Sequence, residues 1–534
     1  MAVIQSLAFI LLASICASDA KLRFASYYGD HMVLQKAPER AVLWGYGPEG
    51  AQVTLYLKGQ VDQKTSPVTV TKGIWKITLD PVEAGGPYTV IAVAENDSAV
   101  LTDVLFGDVW LCGGQSNMSF EMYKIFNALE ELKIAEKYPH VRTFMASMKT
   151  SETELIDLIQ VELPWSVPPA TLAQFSAVCW LFGRNLFDKL QYPIGLVESC
   201  WGGTRVEIWS SSRALQKCGI LEEANSRHSS LPAGLCGFIG CGHGEEWYER
   251  QTEAPPPIPL KNSVLWNSMI HPLLNMTIKG AIWYQGEANT IYQQDKYNCS
   301  FPAMIGDWRM AFHQGSGGET APDFPFGFVQ LSTNRTGSKN DSFPEIRWHQ
   351  TADVGYVPNA RMPKTFMAVA LDLPDKNSPY GRIHPRDKQD VAYRLSLAAR
   401  AVAYNEVVSY QGPFPTQVMA TQTDINITYD QKVSVTSSKD IFEICCTENQ
   451  APCGNSSWIP APIMQWDATT VTVSTSLCPP TDQVVALRYA WSDWPCDFKA
   501  CPIYSADGIL PAPPFIVSRP QPKRQLKIVR RKSD

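Results

Sequence analysis

Lys and Arg are scarce: 46 against 52 Asp and Glu in a chain of 534 residues, a formal charge of −6. A nucleic-acid partner calls for a basic surface, so that class is not expected. Beyond residue 20 no run is long and apolar enough to span a bilayer, so no transmembrane segment is predicted. There is no C-x-x-C pair and no His-rich cluster. No metal site is therefore predicted, and the cysteines read as structural. The G-x-S-x-G elbow of the common α/β-hydrolases is also missing.

What is present is an ordinary globular composition, 45% hydrophobic, at a length that predicts more than one domain. Residues 1–20 read as a secretory signal peptide, although no Lys or Arg precedes the apolar stretch from Leu7 to Ala17. Ser18 and Ala20 fit the cleavage positions. Asn96, Asn275, Asn298, Asn334, Asn340, Asn426 and Asn455 begin glycosylation sequons, as expected of a secreted glycoprotein. Asn117 also begins one, but its neighbourhood predicts that it carries no glycan. The 14 cysteines fit an oxidising compartment. Loss of Cys16 with the signal leaves an odd number, so at least one thiol is unpaired, with Cys112 a candidate. Cys496 and Cys501, close together in a Pro-flanked segment, are expected to pair.

Residues 21–106 carry short β-branched and aromatic runs separated by Gly, Pro and Asp, which predicts a β-sandwich. It reads as a brace for the next domain, with a carbohydrate-binding module as the alternative. From residue 107 to 408 strands alternate with helices, predicting a parallel sheet flanked by helices, an α/β domain. Helices are expected at 119–138, 172–190 and 387–404. An irregular insertion, about 217–260, carries Cys218, Cys236 and Cys241 and reads as held by disulfides. Residues 409–520 return to β, and 521–534 form a basic tail.

One stretch organises the middle domain: Trp110-Leu-Cys-Gly-Gly-Gln-Ser-Asn-Met118. A buried strand stops at two glycines, and Ser116 follows on the turn. A hydroxyl there is well placed to be a nucleophile, with backbone N–H groups near the charge its attack creates. Three more stretches stand at later strand ends. Glu198-Ser-Cys-Trp-Gly-Gly-Thr204 offers the Gly203 N–H. Trp283-Tyr-Gln-Gly-Glu-Ala-Asn289 offers a side-chain amide from Gln285 or Asn289. Ile383-His-Pro-Arg-Asp387 offers His384 as general base.

The order Ser, Gly, Asn, His at successive strand ends resembles the block layout of the SGNH hydrolases. The wording of Gly-Gln-Ser-Asn-Met118, Gly-Gly-Thr-Arg-Val-Glu-Ile-Trp209, Trp-Tyr-Gln-Gly-Glu287, Asp-Trp-Arg309 and Ile-His-Pro-Arg-Asp-Lys388 resembles the sialate O-acetylesterase family, of the carbohydrate acetylesterase branch. The resemblance spans nearly the whole mature chain. It implies a lysosomal or secreted serine esterase that removes acetyl groups from the 9-O, and after migration the 4-O, positions of sialic acid. It implies Ser116 as nucleophile and His384 as base. The Ser116 and Gly203 N–H groups, with Gln285 or Asn289, form the implied oxyanion hole. The chemistry needs no metal and no organic cofactor. Arg205, Arg309 and Arg386 are candidates for the sialic carboxylate, since Arg pairs bidentately with that group. An acetylesterase of another glycan, such as acetyl-xylan, and a non-catalytic glycan-binding protein are the alternatives. The chain departs from the wider superfamily at Gly381, where an Asp commonly orients the His. Asp372, Asp375 and Asp387 are the substitutes in sequence. A backbone carbonyl, leaving a Ser–His dyad, or a remote acid is expected over Asp387.

Overall fold

One strand, Asp97–Gly114, joins the first two parts of the chain. Its first half pairs antiparallel with Gly85–Ala94 and shows exposed and covered residues in alternation. Its second half is buried without a break and pairs in parallel with Ile194–Cys200 on one side and Gly280–Tyr284 on the other. That change from alternating to continuous burial is the change from a one-sided antiparallel sheet to a parallel sheet covered on both faces. The structure, a computed structural model, describes residues 21–220, 257–338, 340–421, 423–448, 453–454 and 457–518.

The α/β sheet runs in the order Val161–Ser166, Val141–Ala146, Ile194–Cys200, Asp97–Gly114, Gly280–Tyr284, Phe326–Gln330, Thr365–Val369. Only the edge strand Val161–Ser166 in this path is antiparallel to its neighbour. The chain leaves Asp97–Gly114 first to one side and later crosses to the other, which makes its carboxyl end the topological switch point where such sheets bind ligands. Helices cover both faces. Cys112 reaches Cys179 in the helix Ala177–Leu190, whereas a side chain at Gly113 would meet Trp308 of the helix Tyr297–Gly315. Adjacent strand residues face opposite sides, so these two helices lie on opposite faces. Among the described residues no helix is long and apolar enough to cross a membrane.

One buried core runs from Leu22 to Ala399 and so includes the N-terminal strands, while a second occupies the C-terminal part from Phe414 to Phe515. The latter contains two four-stranded antiparallel sheets. Its disulfides are Cys445–Cys453, Cys446–Cys478 and the expected Cys496–Cys501, whose Cα atoms are 5.0 Å apart.

Several expectations need correction. Cys112 is not free: it bonds to Cys179, and the free thiol among the described residues is the buried Cys200. Cys218 bonds to Cys299, outside the insertion; Cys236 and Cys241 lie outside the described residues. The helix expected at 119–138 is reduced to a single turn at Met122–Lys124 and the helix Ala128–Ala135. Tertiary contacts claim the backbone N–H groups that a helix would use: Met122 N–H bonds to the Phe175 carbonyl and Phe126 N–H to the Arg386 carbonyl. The second predicted helix begins at Ala177, capped by the Ser176 hydroxyl, and the last at Gln389.

Asn96 and Asn340 are exposed and open to glycosylation. Asn275 accepts from Lys76, and Asn426 faces Thr472 on the neighbouring strand. Two sequons are poorly placed: Asn298 commits its Nδ2 to Asp353, and the Asn334 Nδ2 is buried. Residues 1–20, Asn455 and the basic tail lie outside the described residues.

Candidate active site

The strand register brings the motifs together. Gly114 is paired with Cys200 on one side and Tyr284 on the other, so the loops after all three strands start side by side. Gly114 has a φ of 141°, and a Cβ there would lie 2.2 Å from the Tyr284 carbonyl oxygen. Only glycine lets the chain turn there against its neighbour. The turn is closed by Met118 and Ser119 N–H bonds to the Gln115 carbonyl, and it leaves Ser116 half-buried at the sheet edge.

His384 arrives from the far side, on the loop between Thr365–Val369 and the last helix. Its Nε2 is 2.8 Å from the Ser116 Oγ. Its Nδ1 is 2.7 Å from the Tyr380 carbonyl oxygen. A carbonyl only accepts, so Nδ1 carries the proton and Nε2 presents its lone pair to the serine hydroxyl. The ring is buried and stacks on Phe120 at 6.3 Å between centroids. Burial, aided by the Lys388 and Lys124 ammonium groups and opposed by the bond to Tyr380, pushes its pKa down to about 4.

None of the three candidate carboxylates orients this histidine. Asp372 is fully buried in a two-point pair with Arg394, at 2.6 and 2.8 Å. Asp375 pairs with Arg386 at 2.6 and 3.1 Å and thereby closes the His384 loop. Asp387 accepts from the Asp390 N–H at the start of the last helix, a first-turn acid. The third position of a triad is filled by backbone.

The Gly202-Gly203 turn lies against the serine: a Cβ at Gly202 would be 3.3 Å from that of Ser116. Thr204 holds the turn, donating to the Trp201 carbonyl and accepting from the Trp209 indole. Among the described residues no acceptor faces the backbone N–H of Ser116 or Gly203. Gln285 and Asn289 differ from expectation. Gln285 Nε2 donates to the Thr204 carbonyl and to Asn289 Oδ1, and its own oxygen accepts from Tyr297. Asn289 Nδ2 donates to Glu207 and to the Tyr292 carbonyl, while Oδ1 also takes the Val206 N–H. Both amides are fully buried with no donor to offer an oxyanion. They brace the glycine loop instead.

Of the arginines, Arg309 is a structural residue. It is buried and donates to the carbonyls of Phe324, Pro363 and Lys364. Arg386 is taken by Asp375. Arg205, two residues beyond Gly203, donates to the Leu260 carbonyl and Asn262, and its buried Nε faces the Glu207 carboxylate at 4.0 Å.

Residues given no role by sequence reasoning complete the site. Ser176, besides capping its helix, donates to the Met118 carbonyl, and its N–H is held by Glu198. Burial pushes the Glu198 carboxyl up to about 8, with the Cys200 thiol 3.2 Å away. Next to Ser116 in the chain, Asn117 bonds to Glu287 and Lys388, each in the same motif as a residue that the sequence had singled out. The arrangement as a whole is a serine hydroxyl with a neutral, tautomer-locked base and two unclaimed N–H groups, which suits acyl transfer.

Comparison with known proteins agrees in kind. The sequence model of the family described as carbohydrate esterase, sialic acid-specific acetylesterase matches residues 106–385. That of the sialate O-acetylesterase C-terminal domain matches residues 415–519. A Mus musculus protein named sialate O-acetylesterase is 48% identical over 92% of this chain and 94% of its own. A Homo sapiens protein of that name is 48% identical over 92% of each chain. The solved structure of a carbohydrate acetylesterase from Xanthomonas citri covers 93% of this chain and 99% of its own, with a TM-score of 0.73 and 26% identity.

Proposed function

The chain belongs to the sialate O-acetylesterase family, and from that premise we propose that it is a serine esterase removing O-acetyl groups from the 9-O and 4-O positions of sialic acids. The observation that carries the reading is the Ser116 Oγ to His384 Nε2 contact of 2.8 Å, with the far nitrogen locked by the Tyr380 carbonyl. His384 takes the proton from Ser116 as the oxygen attacks the acetyl carbonyl. The oxyanion is met by the Ser116 and Gly203 N–H groups. The sugar alcohol leaves with the proton from His384, and water then cleaves the acetyl-Ser116 ester by the same route. Each oxyanion donor contributes roughly 3 kcal/mol, about a hundredfold in rate.

We assign the sialic carboxylate to Arg205 among the three arginines, because it stands two residues beyond Gly203 and its side chain is partly exposed. The substrate is accordingly an O-acetylated sialic acid, free or on a glycan. Disulfides throughout the described chain fit the secretory pathway. A base whose pKa lies near 4 stays neutral in an acidic lumen, which fits a lysosomal or a secreted enzyme.

The test is acetate release from 9-O-acetylated sialic acid and from acetyl-xylan, by the protein and by Ser116→Ala. Release from the sialic acid alone, lost in the variant, is expected. Preference for acetyl-xylan would move the assignment to another glycan, and release by neither would leave a glycan binder.

A further inference from the structure

Three motifs each place one polar side chain in the same buried spot. Asn117 follows the nucleophile, Glu287 closes Trp-Tyr-Gln-Gly-Glu287, and Lys388 closes Ile-His-Pro-Arg-Asp-Lys388. All three are buried, Asn117 at 1%, Glu287 at 3% and Lys388 at 0% exposure. Asn117 joins the other two. Its Oδ1 accepts from the Lys388 ammonium at 2.7 Å, and its Nδ2 donates to Glu287 Oε1 at 2.6 Å. The second Nδ2 proton goes to the carbonyl of Ile383, at 2.8 Å.

That last bond matters for the chemistry. Residue 117 adjoins the nucleophile and residue 383 adjoins the base, so one amide clamps the two loops whose tips are Ser116 and His384. The amide's orientation is set by its surroundings: only the oxygen suits the ammonium, and only the nitrogen suits the carboxylate and the carbonyl. Asp offers no donor and Gln is longer, so Asn is the residue that fits. The ammonium also lies 4.8 Å above the Phe120 ring, the ring on which His384 stacks. Fixing charged groups in a dry site is costly unless they are bonded, and here each charge has the amide as partner.

We propose that Asn117 is a positioning residue, a buried clamp held between Glu287 and Lys388 that sets the distance between the Ser116 hydroxyl and the His384 imidazole. The inference rests on the serine–histidine mechanism above. Burial raises the Glu287 carboxyl and lowers the Lys388 ammonium to about 7, which agrees with a spot closed to water. Glu287 Oε2 has no hydrogen-bond partner, and Asn117 is the side-chain donor that holds this carboxylate.

The test uses p-nitrophenyl acetate, which reads the catalytic pair without needing sugar recognition. Asn117→Asp removes both donors. A displacement of the reacting atoms by about 1 Å costs on the order of a hundredfold in rate. Asn117→Asp should therefore lower kcat about a hundredfold with KM little changed, and labelling of Ser116 by a fluorophosphonate should slow in parallel. Glu287→Gln keeps an acceptor for Asn117, and its own kcat is the reference against which the double variant is read. The double variant Asn117→Asp with Glu287→Gln supplies a new donor from the amide introduced at position 287 and keeps the contact with Lys388. It leaves only the Ile383 carbonyl without its N–H. It should recover the melting temperature but remain at least about tenfold low in kcat. Full kcat in the folded double variant, or failure of the single and the double variant alike to fold, would overturn the proposal in favour of a purely structural role. Turnover by Ser116→Ala would overturn the mechanism and this inference with it. Inactivity of the unmodified protein on acetylated sialic acid alone would overturn only the substrate reading.

Discussion

Ser116 Oγ meets one base, His384 Nε2, and that base has a carbonyl rather than a carboxylate behind it. Ser116→Ala should abolish turnover and leave the melting temperature unchanged, since the half-buried hydroxyl's partner is the His384 imidazole. A few per cent of residual activity would rule it out as nucleophile. Loss of a true triad Asp costs on the order of 10⁴ in turnover. Asp387→Asn should fall far short of that, and so should Asp375→Asn. Asp372→Asn should instead destabilise the fold by roughly 3 kcal/mol, because it weakens the partner of a buried arginine; thermal melts beside steady-state rates separate the two effects. The pH dependence follows from the same histidine. Its folded pKa, about 4, lies below the ordinary 6.5. On a neutral ester, kcat/KM should therefore hold through mildly acidic pH and drop as the pH falls through about 4. A limb near 6.5 would show an exposed, unperturbed base. Between those two values the unfolded chain binds the proton and the folded chain does not, so stability rises with pH across the window. Below it, the deficit from this group is about 3 kcal/mol.

At the scale of elements, the strands before the motifs were legible because both their faces are buried. Ile194–Cys200 and Gly280–Tyr284 are covered at every residue, and their apolar runs end at glycine turns. The segment after Ser116 was not legible. Its apolar spacing suits a helix, but its backbone N–H groups bond to the Phe175 and Arg386 carbonyls, partners distant in sequence. The same holds for Gln285 and Asn289: an amide in a strand-end loop reads as an oxyanion donor until its neighbours are known. The Gly114 turn yields a sharp test. Gly114→Ala would place a Cβ 2.2 Å from the Tyr284 carbonyl, at a φ that side chains avoid. We expect a loss of more than about 3 kcal/mol or no soluble protein, measured by denaturant unfolding. A stable, active Gly114→Ala would mean that this turn tolerates being rebuilt.

For the whole molecule, the boundary expected at residue 106 falls inside the strand Asp97–Gly114, and one core serves both sides of it. A protein beginning at residue 107 should therefore show no cooperative unfolding transition, because the cut removes the paired half of its central strand and opens the shared core. A cooperative melt would mean that the α/β unit folds alone. By itself the sequence determined the α/β alternation, the glycine turns, the serine and histidine at strand ends, and the Cys496–Cys501 bond. Each of these is written in neighbouring residues, through hydrophobic period, backbone freedom or chain proximity. Only the tertiary structure decided that Tyr380 lends a carbonyl to His384 and that Asp372 belongs to Arg394. It also decided that Cys112 is bonded while Cys200 is free, and that Asn117, Glu287 and Lys388 meet beside Ser116. Those pairings join residues far apart in the chain. Hydrogen bonds and disulfides depend on distances of a few ångströms, and such distances exist only once strand order and register have brought the loops together.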